Sequence, residues 1–216
     1  MKKNLLSKII ALTFFAFIGA SFCSAMDMRL GVFADYEPTV GDLHEFVHCS
    51  VGGGIDYEVG FKLPFNLELG PAVHLAANAN PVRDERLSSM MNLKMDAGAF
   101  LRVPILKTGL SFVPEVDYGC LVYFPKVSPD YSGDLETAYA DQLIQVGLGI
   151  RFAHEKLLSG DLEFDVTPTY LFSTEKENSV HYIGFRVGVS YRVFNSERRS
   201  AQNQQQGGQY QDGQQQ

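Results

Sequence analysis

Strict alternation of apolar and polar residues near the carboxyl end of the chain is the feature that most constrains its fold. Over residues 181–194, Ile183, Phe185, Val187, Val189, Tyr191 and Val193 alternate with Tyr182, Gly184, Arg186, Gly188, Ser190 and Arg192. Successive side chains of a β-strand point to opposite faces, so this strand has one wholly apolar face and one face with two arginines. Such a strand fits between lipid and a polar interior.

The same period of two continues through the chain, with turn signals between the runs, and predicts eight strands. They cover residues 28–36, 51–63, 65–77, 91–103, 109–124, 143–153, 161–173 and 181–194. The connections near Pro64, at 104–108 and at 154–160 are short, whereas those at 37–50, 78–89, 125–141 and 174–179 are mostly longer and more polar. Short turns on one rim and long loops on the other are typical of an outer-membrane barrel with its turns and both termini in the periplasm.

The amino terminus predicts export. Lysines at positions 2, 3 and 8 precede an apolar run over residues 9–22, and Cys23, Ser24 and Ala25 supply a small-residue cleavage site. We therefore expect a signal peptide, residues 1–25, that is removed after Ala25. Lipidation of Cys23 is the alternative, and bulky Phe22 disfavours it. The remaining chain has no run of ~18 apolar residues, so only a closed sheet could span a membrane.

Composition narrows the set of partners. The net charge of −7 argues against a basic surface that could bind nucleic acid, so no nucleic-acid partner is expected. Cys49 and Cys120 remain after cleavage, near a loop and on the outer face of a non-neighbouring strand, which favours free thiols. Neither the cysteines nor the histidines have the spacing of a metal site, and no cofactor is expected.

Residues 195–216 are rich in glutamine and predict a disordered periplasmic tail.

Charged residues of the predicted strands share the inward phase, and the outward positions carry no charge. The inward set comprises Glu58, Lys62, Glu68, Lys94, Asp96, Arg102, Glu115, Asp117, Arg151, Glu163, Asp165, Arg186 and Arg192. A base facing lipid at mid-depth costs ~2 to 4 kcal/mol, which explains the segregation. Eight strands enclose only enough room for side chains. The charges then form either a polar core of buried pairs or a gated ion path through a rearranging network.

Two further interpretations fit parts of the sequence. A soluble lipocalin-like barrel is also eight-stranded and up-and-down, but it would need the two faces exchanged. Small outer-membrane lipid A deacylases carry a His with a Ser two positions later, and His48 and Ser50 have this spacing. However, no Glu follows at a comparable place, and the pair lies in a different strand from the one that carries it in those enzymes. We therefore expect no enzymatic activity.

The last strand carries a resemblance to a known class. Its Gly188, Tyr191 and Val193 look like the carboxy-terminal assembly signal of bacterial outer-membrane barrels. Over residues 26–194 the chain resembles the small eight-stranded barrels typified by OmpX, OmpW and the membrane domain of OmpA. The resemblance implies a monomer in the outer membrane, with lipids, the barrel-assembly machinery and an external ligand of the long loops as partners. The implied role is envelope structure and surface interaction; the alternative is a narrow OmpW-like channel for ions or small hydrophobic molecules.

The alternation also makes position-specific predictions. Leu148, Ile150, Phe164 and Val187 should lie on the lipid face, and Arg151, Glu163 and Arg186 should lie in the lumen. If the connection at 154–160 is a tight turn, Arg151 and Glu163 should stand opposite each other and pair.

Overall fold

The computed structural model describes residues 26–40, 47–105, 109–131, 138–153, 161–174 and 179–195. In this part of the chain eight strands follow one another: β1 Met26–Val40, β2 Cys49–Lys62, β3 Glu68–Asn80, β4 Leu87–Ile105, β5 Leu110–Val127, β6 Tyr139–Ala153, β7 Leu162–Thr174 and β8 Ser179–Asn195. Each strand pairs with the next, and β8 pairs antiparallel with β1 to close the barrel. The predicted all-β, antiparallel, up-and-down barrel is confirmed. The predicted signal peptide, and the tail beyond Asn195, lie outside the described residues.

Most of the strands are longer than the alternation predicts. β4 has 19 residues and β5 has 18, whereas about 9 to 11 tilted residues suffice to cross a bilayer. Most of the excess lies at the rim of the predicted long loops, which we call the loop rim. There Glu37 pairs with Ser50 and Pro38 with Cys49, in segments predicted to be loop. Backbone pairing continues regardless of side-chain polarity, so the connection predicted at 37–50 shrinks to 41–48.

The opposite rim, which we call the turn rim, contains the connections after β2, β4 and β6. After β2 the chain reverses through a short 3₁₀ turn, Pro64–Asn66, in which Phe65 and Asn66 both have positive φ angles. The prediction that the third strand begins at residue 65 is therefore wrong, and β3 begins at Glu68. Phe65 is 91% exposed at the tip of this turn.

The two faces of the wall have opposite character. β3 alternates buried and exposed residues without interruption from Glu68 to Asn80. The predicted outward residues Leu148, Ile150, Phe164 and Val187 are all exposed, and Arg151, Glu163 and Arg186 are all buried inside. An apolar outside and a charged inside are the reverse of the lipocalin arrangement. Lys126, outward and exposed near the loop-rim end of β5, lies in the segment that was predicted to be a loop.

No helix among the described residues combines the length and the hydropathy of a membrane-spanning helix.

Candidate functional site

The lumen near the turn rim is organised around Glu163 of β7. Arg102 Nη1 donates to both carboxylate oxygens of Glu163, at 2.9 and 3.0 Å, and Arg192 Nη2 donates to Oε1 at 2.6 Å. Arg29 Nε lies 3.1 Å from Glu163 Oε2, and both Nη atoms of Arg29 bind Glu68. These residues come from five strands, so the network ties together opposite parts of the barrel wall.

A second pair crosses the lumen between β6 and β2. Arg151 donates from both Nη atoms to Glu58, and each hydrogen bond is 2.6 Å long. The predicted cross-strand pairing of Arg151 with Glu163 is wrong, since Arg151 stands opposite Asp165 and Glu163 stands opposite Ala153. Arg151 Nη1 reaches Glu163 only at 3.8 Å. A register shift of two residues keeps every side chain on its face, so alternation alone could not reveal it.

The middle of the lumen contains Arg186 of β8 and acidic groups from β2 to β5. Arg186 Nη2 donates to Glu115 Oε1 at 2.5 Å, and its guanidinium lies 5.3 Å from the centre of the Phe33 ring. The Phe33 ring also makes a T-shaped contact with the His74 ring; the ring centroids are 6.2 Å apart and the planes are at 80°. Arg186 therefore has one close anionic partner and one aromatic face.

His74 is brought next to two carboxylates by the pairing of β3 with β4 and of β4 with β5. His74 stands opposite Asp96 in the register, and Asp117 of β5 stands opposite Gly98, two residues further along β4. His74 Nδ1 lies 2.7 Å from Asp96 Oδ1 and 3.8 Å from Asp117 Oδ1. All three residues are buried. The spacing of the histidines in the sequence predicts no such cluster.

Closer to the loop rim, Lys94 of β4 is fully enclosed. Its Nζ donates to Glu37 Oε1 at 2.7 Å and to Gln145 Oε1 at 3.3 Å, and it lies 2.9 Å from Asp35 Oδ2. Two other strands, β1 and β6, thus supply the groups that compensate this buried ammonium.

The structure places all thirteen residues of the predicted network on the inside of the wall. Lys62 lies at the turn rim, 3.8 Å from Asp27, and Asp165 is half-buried beside Gly188. The prediction omitted lumen residues that complete the pairs, namely Asp27, Arg29, Asp35, Glu37, His74 and Gln145. Most of these residues share the inward phase of the predicted strands, and that phase could have identified them from the sequence. Glu37 could not be found in this way, because it fell in a predicted loop.

Inward glycines make room for the carboxylates of the neighbouring strand. A Cβ on Gly31 would stand 2.3 Å from Asp56 Oδ1, and one on Gly147 would stand 2.5 Å from Glu115 Oε1. The same relation joins Gly98 to Asp117, Gly188 to Asp165 and Gly60 to Glu68. Each acidic side chain therefore lies over a residue that has no side chain of its own, which is how a narrow barrel accommodates so many charges.

The lumen contains an apolar cluster at the loop rim, beside the buried polar residues Ser50, Asn80 and Asn92. A buried cluster there comprises Val47, Met90, Leu121, Tyr123, Leu143, Leu171, Val180 and Tyr182. The hydroxyls of Tyr123 and Tyr182 lie 3.1 Å apart, and Val47 pairs with Val82 of the next connection. At the turn rim, by contrast, a pocket of about 340 Å³ is lined by Lys62, Glu68, Arg102 and Arg192 among others.

The loop rim also carries exposed polar contacts. Arg83 Nε donates to His48 Nε2 at 2.8 Å. Arg86 hydrogen-bonds to Asp84 through its side chain and its backbone N–H, and these bonds lower the pKa of Asp84. Ser50, the other half of the deacylase-like spacing, points inward and accepts a hydrogen bond from Asn92 Nδ2 at 3.1 Å. His48 is thus exposed before β2 begins, whereas Ser50 is buried within β2.

The predicted assembly-signal residues lie on β8, the strand that closes the barrel. Gly188 stands opposite Phe33 of β1 and Asp165 of β7. Tyr191 and Val193 are exposed on the outer surface. Both Cys49 and Cys120 are free and partly buried.

No protein-family model and no curated protein matches the sequence. The fold is similar to that of Neisserial surface protein A, with a TM-score of 0.51, 12% identity and coverage of 77% of this chain and 97% of that one. The amino-terminal barrel domain of Pseudomonas aeruginosa OprF matches with a TM-score of 0.42, 13% identity and coverage of 76% and 97%. The attachment invasion locus protein Ail of Yersinia pestis matches with a TM-score of 0.42, 13% identity and coverage of 78% and 97%. The similarity to the Neisserial protein shows a shared fold.

Proposed function

We propose that this chain is an integral outer-membrane protein that supports envelope structure and surface interaction and has no enzymatic activity. The observation that carries the proposal is the combination of an apolar outer face with a lumen filled by side chains. Leu148 and Ile150, for example, are 52% and 53% exposed on the outside, which is costly in water over a whole barrel wall. In a bilayer the same face contacts lipid.

The lumen argues for a structural role over transport. Arginine–carboxylate pairs fill the part near the turn rim, and the apolar cluster with Tyr123 and Tyr182 occupies the part near the loop rim. An ion passing through would have to break buried pairs and then cross an apolar constriction, and both steps are unfavourable. The narrow channel for ions or small hydrophobic molecules is the second candidate, and the 340 Å³ pocket at the turn rim is the feature that favours it.

Planar-bilayer recordings of the purified, refolded protein separate the two candidates. We expect no discrete conductance steps from the wild-type protein. As a positive control, Leu143→Gly with Leu171→Gly removes two buried side chains of the apolar cluster and should raise any leak current. Regular conductance steps from the wild-type protein would overturn the structural role and support the channel.

The remaining assignments follow from the same proposal. Residues 1–25 act as a signal peptide that is removed on export, and the glutamine-rich residues after the barrel form a periplasmic tail. The barrel-assembly machinery binds β8 through Gly188, Tyr191 and Val193, and the connections at the loop rim contact a ligand outside the cell. Amino-terminal sequencing of the protein from isolated outer membranes tests both the cleavage and the location.

A further inference from the structure

We propose that His74, Asp96 and Asp117 form a divalent metal site in the middle of the lumen, with Zn²⁺ as its preferred ion. One ligand atom from each residue lies within 4.8 Å of the other two. The three residues come from three successive strands, β3, β4 and β5, so the barrel wall itself holds them in place. This proposal is independent of whether the barrel conducts.

Unpartnered polar atoms point to a ligand at this place. Asp117 is only 1% exposed, and neither of its carboxylate oxygens has a hydrogen-bond partner among the described residues. Asp96 Oδ2 is buried in the same condition. A buried carboxylate without a donor or a cation is strongly unfavourable, so Asp117, with Asp96 and the His74 imidazole beside it, is best explained by a bound cation.

The local charge balance agrees. Asp117 lies within electrostatic range of Glu115 and Asp96 as well as of His74 and Arg186. Arg186 is already bound to Glu115 at 2.5 Å, and it packs against the Phe33 ring. Acidic groups thus outnumber basic ones around His74. A divalent cation would neutralise this excess.

The donor set and the spacing favour Zn²⁺ over Ca²⁺ or Mg²⁺. An imidazole nitrogen suits transition metals, whereas Ca²⁺ and Mg²⁺ prefer sets of oxygen ligands. Bonds of about 2.0 to 2.2 Å to a tetrahedral Zn²⁺ place its ligand atoms roughly 3.4 Å apart. The distances from His74 Nδ1, 2.7 Å to Asp96 Oδ1 and 3.8 Å to Asp117 Oδ1, lie on either side of that value. Binding at Nδ1 would release the proton shared with Asp96 to solvent.

Metal content after refolding tests the proposal. The full chain is unfolded in urea with a chelator, refolded into detergent micelles with ZnCl₂ and desalted, and bound zinc is measured by mass spectrometry. We expect equimolar Zn²⁺ in the wild-type protein. Asp117→Asn should weaken binding by at least about 100-fold, because even an outer-shell partner of a metal is worth about 10- to 100-fold.

Asp165→Asn is the matched control, because Asp165 is another inward aspartate that lies over a glycine and does not belong to the cluster. It should retain zinc as the wild type does. Refolding with Co²⁺ gives a readout that needs no variant, since ligation by imidazole and carboxylate produces visible d–d absorption bands. Absence of both zinc and cobalt bands from the folded wild-type protein would overturn the site. So would an Asp117→Asn variant that retains as much zinc as the wild type.

Discussion

Arg151 on β6 binds Glu58 on β2 through two hydrogen bonds of 2.6 Å, although the two residues lie 93 positions apart in the chain. Both are buried, so each needs the other to offset the cost of leaving water. Bidentate arginine–carboxylate geometry makes this one of the stronger interactions that a lumen can contain.

A double-mutant cycle measures this pair. We expect Arg151→Met and Glu58→Gln each to lower the free energy of unfolding by ~3 to 5 kcal/mol, because each leaves the partner charge buried. The double variant should lose less than the sum, with a coupling energy of ~0.5 to 3 kcal/mol. Urea titrations of the protein in lipid vesicles give these values. The matched cycle of Arg151 with Asp165, which is its register neighbour, should show a smaller coupling energy. Equal coupling in both cycles would contradict the pairing.

Glu163 should be among the least replaceable carboxylates of the lumen. Glu163→Gln removes the charge that Arg102, Arg192 and Arg29 share, so the repulsion among the arginines would be compensated only by Glu68 and Asp27. We expect a loss of ~3 to 5 kcal/mol in the free energy of unfolding, again from urea titrations. Asp165→Asn, at a half-buried position two residues along β7, should cost clearly less. A similar loss for both variants would argue against a special role for Glu163.

The cost of an arginine substitution on the outer face should depend on the depth of its position in the bilayer. Leu148 and Gln142 are both exposed and outward on β6, but Gln142 lies near the loop rim. Leu148→Arg should cost ~2 to 4 kcal/mol of unfolding free energy in lipid vesicles, and Gln142→Arg only ~0 to 1 kcal/mol. If the two variants are equally stable in lipid, the apolar face does not contact the bilayer core.

Gly147 should be intolerant of a side chain because of Glu115. A Cβ at position 147 would stand 2.5 Å from Glu115 Oε1, which would displace the carboxylate from Arg186. We expect Gly147→Ala to cost ~1 to 3 kcal/mol in the unfolding equilibrium. In a Glu115→Ala background the same substitution should cost much less, since the space is then free. Persistence of the full cost in that background would assign the effect to the backbone.

Tyr191 should matter for insertion. It is 43% exposed on the outer face of β8 and stands opposite Leu30 and Leu162. Tyr191→Asp places a carboxylate on the apolar face and should abolish the heat-modifiable band of folded barrel in membrane fractions, whereas Tyr191→Phe should retain it. Deleting residues 202–216 should leave this band unchanged, because so polar a segment adds no apolar surface to bury. Normal folding of Tyr191→Asp would mean that another strand directs assembly.

The period-two alternation was sufficient to predict the strand number and, within the predicted strands, the face of each side chain; the closed barrel followed because no apolar run was long enough for a membrane-spanning helix. The direction of a side chain from a strand depends on its position along that strand, so this information is local. Leu148 and Arg151 could be assigned to opposite faces without any knowledge of their neighbours. The same locality explains why Arg29, Asp35 and His74 were recognisable as inward residues before their contacts were known.

Only the tertiary structure decided the register, the partners and the ends of the strands. An even shift in register leaves every side chain on its face, so the sequence could not show that Arg151 stands opposite Asp165. Contacts across the lumen, such as Arg151 with Glu58, depend on the closure of the whole sheet. The same closure brings His74, Asp96 and Asp117 together and gathers the apolar cluster at the loop rim. These features depend on which residues of different strands come close together in space, and the alternation along one strand carries no information about that.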